Sequence, residues 1–421
     1  MIYNLLTIYS FIRKDVFLRI HNGTKIKILI FIYLSLPAIM FENSHAQSYP
    51  LSVNGKYPLG LYSVPPSSFA EIAAAGFNII HQYSSRQNID DAIKYLSESK
   101  VYNLKVLQNM PSAYINESDT FWLNWINSLK NYESLEWWYL PEEESATNIA
   151  PISYLIKAND EIEHLRTTYL PWNSETTMSR YINVLDILMI GSYPEHYHEP
   201  RANVMSWLIN GLNLTPKIPY IVSVIPSFNE GAGWPSPQDV RCDAYTSIIS
   251  GAHGIFWFSY YYVRDNHQVW QEMKNIANEI NGSGNLAPII MSPHFDESIT
   301  STIISGPKLT PYTYIWEDGG DVNKSFNSIQ WIAKIFNGIT YIFAVNLAQV
   351  YPPRTDYTDA TVVNRFGNLN IAQGKAEVLF EDRIISINDK SFEDTFNELE
   401  VHIYKIAPKL PSTPTSPRVE D

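Results

Sequence analysis

The stretch IDDAIKYLSESK (residues 89–100), followed by LKVLQNM (residues 104–110), contains the unit that decides the fold. In the first segment apolar residues recur three or four positions apart, which predicts an amphipathic helix. The second segment is a short apolar run of the kind that forms a buried strand. Because such helices and strands alternate along the chain, we expect a parallel sheet.

Eight short apolar runs, separated by helical patterns, extend from Pro58 to about Tyr262. The runs are Leu59–Val64, Phe77–Tyr83, Leu104–Met110, Leu135–Leu140, Arg166–Leu170, Asp186–Tyr193, Ile218–Ile225 and Gly254–Tyr261. The helical patterns include Ser67–Ala75, Ile89–Lys100, Phe121–Asn131, Ala150–Glu163, Asn203–Leu212 and Pro237–Gly251. Eight units in roughly 200 residues predict an α/β fold, a closed (β/α)8 TIM barrel. An open doubly wound sheet is the alternative, although no glycine-rich phosphate loop follows the first run.

The sequence changes character after Ile290, where helical periodicity gives way to short alternating strands. The predicted strands are Ser298–Ile304, Ser328–Phe336, Ile339–Asn346, Ala376–Phe380, Ile384–Ile387 and Glu400–Ile406. Turn residues separate them, which is typical of an antiparallel β-sandwich. We therefore predict a barrel over residues 47–289, a C-terminal sandwich over 290–407 and a disordered tail over 408–421.

Residues 1–46 have the pattern of a signal peptide with an upstream extension. Two lysines precede the apolar run Ile28–Phe41, and the tripeptide Ser44-His45-Ala46 predicts cleavage before Gln47. The run is short for a membrane span, and Pro37 interrupts it. We expect export to a bacterial periplasm, cell surface or medium, with no stable membrane span after cleavage; an uncleaved anchor is the alternative.

Charge and cysteine content exclude several classes of function. The formal net charge of −13 disfavours nucleic acid and polyanionic sugars as partners. The single cysteine, Cys242, allows neither an internal disulfide nor a cysteine-based metal site, and its helical, alanine-rich context favours a small core residue. Export without disulfides is typical of bacteria.

An acidic triplet follows the fourth run, in the segment WYLPEEE (residues 138–144). In a barrel, catalytic groups lie at the carboxyl ends of the strands. Mutual repulsion and partial burial raise the pKa of a carboxyl group, as a general acid requires. A solvated acidic loop is the alternative interpretation.

Several segments resemble barrel glycoside hydrolases related to clan A. The segment WYLPEEE is similar to the family's W-Y-L-x-D-E-P, DILMIGSYP (residues 186–194) to the sixth-strand D-I-x-x-x-D-x-Y-P, and YTSIISGAHGIFWFSY (residues 245–260) to A-I-x-x-G-A-x-G-I-x-x-F-S-Y. VLFEDR (378–383), FEDTF (392–396) and VHIY (401–404) resemble the accessory sandwich of these enzymes. The segments occur in the family's order and cover most of the chain after residue 46.

The resemblance implies catalytic roles for two carboxylates. Glu143 aligns with the acid/base at the end of the fourth strand, although Glu-Glu-Glu replaces the family's Asp-Glu-Pro and Ser192 stands where a second Asp is common. The nucleophile is expected at the end of the seventh strand, where Glu230 is the nearby carboxylate; an ordinary loop Glu is the alternative, and Asp265 is the next candidate. The distance between the two carboxyls decides between retaining and inverting chemistry, and both stay open.

Aromatic and polar residues near the predicted strand ends suit a sugar. Sugar rings stack their C–H faces on aromatic rings, and their hydroxyls need polar partners. We predict Trp137 and Phe256 to be core residues. The predicted substrate-binding residues are His81, Gln108, Tyr139, Glu142, Tyr193, Trp234, Trp257, Tyr260 and Asp265.

The loop from Tyr193 to Glu199 contains His196 and His198 beside carboxylates. A zinc site needs a third ligand at a defined spacing, and none stands out, so we interpret the segment as a polar loop and predict no metal and no cofactor. The sequence thus favours an exported glycoside hydrolase with a carbohydrate substrate. A non-catalytic carbohydrate-binding barrel is the main alternative, and a different barrel chemistry or an envelope protein the third.

Overall fold

The computed structural model divides the chain into two units, Met1–Ala46 and Gln47–Asp421. The described residues are 16–19, 25–28, 50–86, 88–110, 119–140, 165–169, 185–194, 199–214, 220–229, 233–316, 319–350 and 357–408. In the first unit Val16–Arg19 pairs with Lys25–Ile28 as antiparallel strands. Most of the predicted signal sequence, with its cleavage tripeptide, lies outside the described residues. Among the described residues we find no helix with the length and apolar character that a membrane crossing requires.

Eight parallel strands close into a barrel in the second unit. They are β1 (Leu59–Leu61), β2 (Ile79–His81), β3 (Lys105–Asn109), β4 (Leu135–Tyr139), β5 (Arg166–Tyr169), β6 (Ile187–Gly191), β7 (Tyr220–Pro226) and β8 (Ile255–Phe258). Each strand pairs with the next, and β8 pairs with β1, which closes the ring. The predicted (β/α)8 barrel is confirmed, and the open sheet is excluded.

Side chains alternate between the barrel interior and the surrounding helices, as the two-residue period of a strand requires. Trp137 and Phe256 belong to the interior cluster, as predicted for core residues, whereas their neighbours Trp138 and Trp257 pack on the helical side. Gly60 of β1 lies opposite Phe256 of β8. A Cβ atom at this position would lie under 3.0 Å from the Phe256 ring, so the glycine leaves room for the ring at the closing seam.

The described helices surround the barrel. They are α1 (Phe69–Ala74), α2 (Ile89–Val101), α3 (Asp119–Leu129), α4 (Ala202–Leu214), α5 (Pro237–Ile249), α6 (Tyr260–Val263), α7 (His267–Asn281) and α8 (Ala287–Ile290). Helix α5 begins with a capping box between Ser236 and Asp239, with Pro237 in its first turn. The predicted helix Ala150–Glu163 lies outside the described residues. The eighth predicted run is too long, because β8 ends at Phe258 and α6 begins at Tyr260.

An ion pair holds α5 against α7. The guanidinium group of Arg241 donates to both carboxylate oxygens of Glu279, at 2.9 and 3.0 Å, and the Tyr245 hydroxyl donates to the same carboxylate. Burial alone would lower the pKa of Arg241, but the neighbouring tyrosine and carboxylates raise it above its ordinary value. Glu279 is almost buried, so these partners replace the water that would otherwise surround its carboxylate.

The C-terminal strands form antiparallel sheets. They are β9 (Thr300–Ser305), β10 (Leu309–Trp316), β11 (Gly319–Asn327), β12 (Ile329–Phe336), β13 (Ile339–Asn346), β14 (Val362–Gly367), β15 (Gly374–Val378), β16 (Arg383–Ile387), β17 (Phe392–Phe396) and β18 (Val401–Ile406). The sheet orders are β9-β14-β17, β10-β11 and β12-β13-β18-β15-β16. The predicted sandwich is confirmed, although β10, β11, β14 and β17 were not among its predicted strands. The exact domain boundaries stay a prediction.

The sandwich packs on the barrel through one face of β13. Its residues Tyr341, Phe343 and Val345 belong to the same apolar cluster as the barrel helices, whereas Ile342 and Ala344 face the core of the sandwich. Both faces of β13 are therefore buried, which explains its continuous apolar sequence.

Candidate active site

The carboxyl ends of β1 to β4 bring aromatic rings together inside the barrel. The Tyr62 hydroxyl donates to the Tyr139 hydroxyl at 2.9 Å and lies 3.8 Å from the Met189 sulfur. The Tyr62 ring also contacts His81 and Phe258 at centroid distances of 4.7 and 5.6 Å. Tyr62, His81 and Tyr139 are buried, so they form an aromatic floor at this end of the barrel.

A hydrogen-bonded pair of polar side chains joins this floor. The Asn109 amide nitrogen donates to the Gln82 carbonyl at 2.9 Å, which leaves the Asn109 Oδ1 atom facing His81 Nε2 at 2.8 Å. Because Oδ1 can only accept, His81 carries its proton on Nε2 in the neutral ring. The Tyr83 ring packs edge-on against His81 at 4.4 Å. The pair therefore brings directed polar groups into an otherwise aromatic surface.

A second group of aromatic rings continues the surface at the ends of β6 to β8. Tyr193 packs edge-on against Phe228 and Phe258, at 6.1 and 6.4 Å. Phe228 packs against Phe258 at 5.3 Å and stacks on Tyr262 at 5.7 Å. Since Phe258 also contacts Tyr62, the two groups are continuous.

Three buried serines follow the last residues of β6, β7 and β8. They are Ser192, Ser227 and Ser259, and their hydroxyls have no hydrogen-bond partner among the described residues. Ser227 is notable because β7 ends at Pro226, the strand end at which the resemblance implies a nucleophilic Glu. The residue directly after β7 therefore carries a hydroxyl group instead of a carboxylate.

The predicted site residues divide into four groups. His81, Tyr139 and Tyr193 lie in the aromatic surface just described. The catalytic candidates Glu143 and Glu230, together with Glu142, lie outside the described residues, as do His196 and His198 of the histidine loop. Trp234 and Asp265 are exposed, in the loop before α5 and after α6.

The remaining predicted residues lie on the helical side of the barrel. Trp257 alternates with the inward-facing Phe256 and packs edge-on against Phe77. The Tyr260 hydroxyl donates to Glu71 of α1 at 3.1 Å. Burial raises the pKa of Tyr260, and the nearby Glu71 carboxylate raises it further. Gln108 lies between the inward-facing Leu107 and Asn109, and its amide donates to the Asn109 carbonyl. These positions correct the prediction that Trp257, Tyr260 and Gln108 contact substrate directly.

Sequence reasoning missed Tyr62, Phe228, Phe258 and Tyr262. Phe258 could have been predicted from the sequence. The two-residue period of a strand, counted from the core residue Phe256, assigns Phe258 to the barrel interior and Trp257 to the helical side. Phe228 and Tyr262 lie beyond the strand ends, where no periodicity applies.

Among the described residues, no group of three histidine, cysteine or acidic side chains is arranged to hold a metal ion. Glu71 is held on the helical side by Tyr260 and by the Trp270 indole at 2.7 Å. Burial raises the pKa of the Cys242 thiol, so this side chain stays protonated in the core.

Comparisons with known proteins support the fold. No protein-family model and no curated protein sequence matches this chain. Among solved structures, an α-amylase from Geobacillus thermoleovorans is similar at 9% identity and a TM-score of 0.53, over 84% of this chain and 99% of that one. A β-galactosidase from G. stearothermophilus has 8% identity and a TM-score of 0.53, over 85% and 100%. An α-L-arabinofuranosidase from Thermotoga maritima has 9% identity and a TM-score of 0.51, over 82% and 91%. At these identities the likeness establishes the fold, and it confirms at that level the resemblance to barrel glycoside hydrolases.

Proposed function

We propose that the protein is a glycoside hydrolase that cleaves a neutral poly- or oligosaccharide. The observation that carries this proposal is the pair of partly exposed rings, Tyr193 and Phe258, that lies over the buried aromatic floor at the carboxyl end of the barrel. Barrel enzymes bind their substrates at this end. Partly exposed aromatic rings offer faces for the C–H groups of a sugar.

We propose Glu143 as the general acid/base. Strand β4 ends at Tyr139, whose side chain lies in the barrel interior. The amide of the next residue, Leu140, donates to the Thr168 carbonyl at 3.0 Å. Glu143 follows three residues later in the sequence. Two carboxylates adjoin it in the sequence, and repulsion between neighbouring carboxylates favours the protonated form that a general acid needs.

Glu230 is the proposed second carboxylate, four residues beyond the end of β7. In a retaining reaction it attacks the anomeric carbon and the glycosidic bond breaks as Glu143 protonates the leaving oxygen; water then releases the sugar. In an inverting reaction it takes a proton from the attacking water, and the bond breaks in one step. The proposal requires one of these two roles.

The similar structures and the charge of the chain limit the substrate class. The three similar structures are named as glycosidases, and their names differ in the sugar, so they support the reaction class without selecting a sugar. The net charge of −13 repels polyanionic substrates and nucleic acid. With the signal pattern of residues 1–46, these observations support an exported enzyme for neutral carbohydrate.

One observation favours a second function, a barrel that binds carbohydrate without cleaving it. Ser227 directly follows the end of β7, where the resemblance implies a carboxylate. Since fold does not determine activity, the binding function is the competing proposal.

Release of reducing ends from soluble starch, arabinoxylan and galactan separates the two functions. We expect the wild-type protein to cleave at least one polysaccharide, and Glu143→Gln to lose activity by about a hundredfold to ten-thousandfold while it still binds. Glu98→Gln, in the partly exposed Glu98–Lys94 pair of α2, is the matched control and should keep full activity. Binding without cleavage by the wild-type protein would support the second function, and an active Glu143→Gln variant would refute the assignment of the acid.

A further inference from the structure

Two consecutive tyrosines are exposed beyond the carboxyl end of β8. Folded proteins ordinarily expose little aromatic surface. Tyr261 and Tyr262 are 54% and 48% exposed on the short helix α6. Their rings meet at 79° with centroids 5.3 Å apart, so they form an aromatic corner. The next residue, Val263, is buried and anchors the turn that presents them.

The aromatic corner is continuous with the barrel floor. Tyr262 stacks on Phe228, which contacts Phe258 at 5.3 Å, and Phe258 contacts Tyr62 at 5.6 Å. Each ring holds the next in a fixed orientation, so an aromatic path extends from the buried floor to the solvent-exposed Tyr262.

A polar edge borders the aromatic corner. The Arg264 guanidinium lies 4.7 Å from the Tyr261 ring centroid and so covers part of that ring. Arg264 and the exposed Asp265 lie 3.9 Å apart at their closest nitrogen and oxygen atoms. Exposed charged groups beside ring faces match the chemistry of a sugar, which has an apolar face and a rim of hydroxyls.

We propose that Tyr261 and Tyr262 form an outer sugar-binding subsite, with Arg264 and Asp265 as partners for the sugar hydroxyls. The inference rests on the proposed carbohydrate function and deepens it, because a subsite outside the barrel interior implies a chain of several sugar units. A protein partner fits less well, since each side of a stable protein interface buries about 800 Å² and an aromatic side chain supplies about 150–250 Å².

Affinity electrophoresis in gels that contain soluble starch, arabinoxylan or galactan tests the subsite. We expect the wild-type protein to be retarded by at least one polysaccharide. Tyr262→Leu should weaken the binding about tenfold, which corresponds to about 1.4 kcal/mol, and Tyr262→Phe should bind as the wild type does because it keeps the ring. Tyr102→Leu is the matched control: Tyr102 is 42% exposed at the end of α2, on the opposite end of the barrel.

The outcomes separate the subsite from the catalytic proposal. Cleavage by a Tyr262→Leu variant with unchanged retardation would overturn the subsite and leave the hydrolase intact. Retardation that Tyr262→Leu weakens, without cleavage by the wild type, would support the subsite and overturn the hydrolase. Absence of retardation with all three polysaccharides would overturn the subsite, as would self-association in sedimentation that Tyr262→Leu abolishes. Unchanged thermal unfolding of the variants ensures that the loss is local.

Discussion

The substitution Gly60→Ala tests the closure of the barrel. Gly60 lies on β1 opposite Phe256 of β8, the last strand, and an added Cβ would lie under 3.0 Å from three atoms of the Phe256 ring. Because the ring is buried in the barrel interior, it has no free space to move into. Overpacking of this kind lowers the free energy of unfolding by about 1–3 kcal/mol.

A double-mutant cycle isolates the contact. Phe256→Ala alone should cost about 3–5 kcal/mol because it leaves a cavity. In the double variant the added methyl group meets no ring, so the combined loss should be smaller than the sum of the single losses by about 1–3 kcal/mol. Urea unfolding followed by tryptophan fluorescence measures all four proteins.

The control is Gly367→Ala on β14, where the atom closest to the new Cβ is the Thr300 hydroxyl at 2.9 Å. A hydroxyl can rotate away, so we expect a loss below about 1 kcal/mol. Additive losses for Gly60→Ala and Phe256→Ala, or a Gly60→Ala variant more stable than the wild type, would refute the strand pairing that closes the barrel. Alanine is intrinsically better than glycine in a strand, so the second result is what an open seam would give.

Three further predictions concern stability. Burial alone would lower the pKa of His402, but its ring donates hydrogen bonds to Glu381 and Glu400, and these raise the pKa to about 9. Because this lies above the unfolded value of about 6.5, the stability that the charged ring contributes at low pH should fall by about 1 kcal/mol per pH unit between about pH 6.5 and 9, and His402→Gln should remove that slope in urea titrations. Arg241→Met should cost about 3 kcal/mol because it leaves the charge of Glu279 buried, and adding Glu279→Gln should restore part of the loss; equal losses for the single and double variants would contradict the pairing. Removing the sandwich should lower solubility because it exposes the barrel face beneath β13, and an isolated barrel as soluble and stable as the whole chain would refute this.

The sequence predicted the barrel well because its physical signals are local. Each strand is buried on both faces, so runs such as residues 104–110 are apolar throughout, and helical periodicity separates them. The sandwich was predicted only in part. Its strands β11 and β17 are polar, which weakens their local signal, and β17 pairs with the distant β14, which a local pattern does not record.

The site was predicted less completely than the fold. The strand ends bring His81, Tyr139 and Tyr193 to one end of the barrel, because side chains at the carboxyl ends of neighbouring strands converge, and their contact with substrate stays a prediction. Trp257 was predicted to face the substrate, but the two-residue alternation of the strand directs it towards the helices. Tyr262 lies on a helical turn, and its stacking on Phe228 joins two loops that no sequence spacing relates.

The most direct test of the central claim is the distance between the carboxyl carbons of Glu143 and its partner in a crystal structure with a bound oligosaccharide. The proposed hydrolase predicts a partner carboxylate about 5 Å away for retention, or about 6.5–9.5 Å away for inversion, with the scissile oxygen between the two. A Glu143 side chain directed into bulk water, with no acidic group across the aromatic floor, would contradict the proposed catalysis.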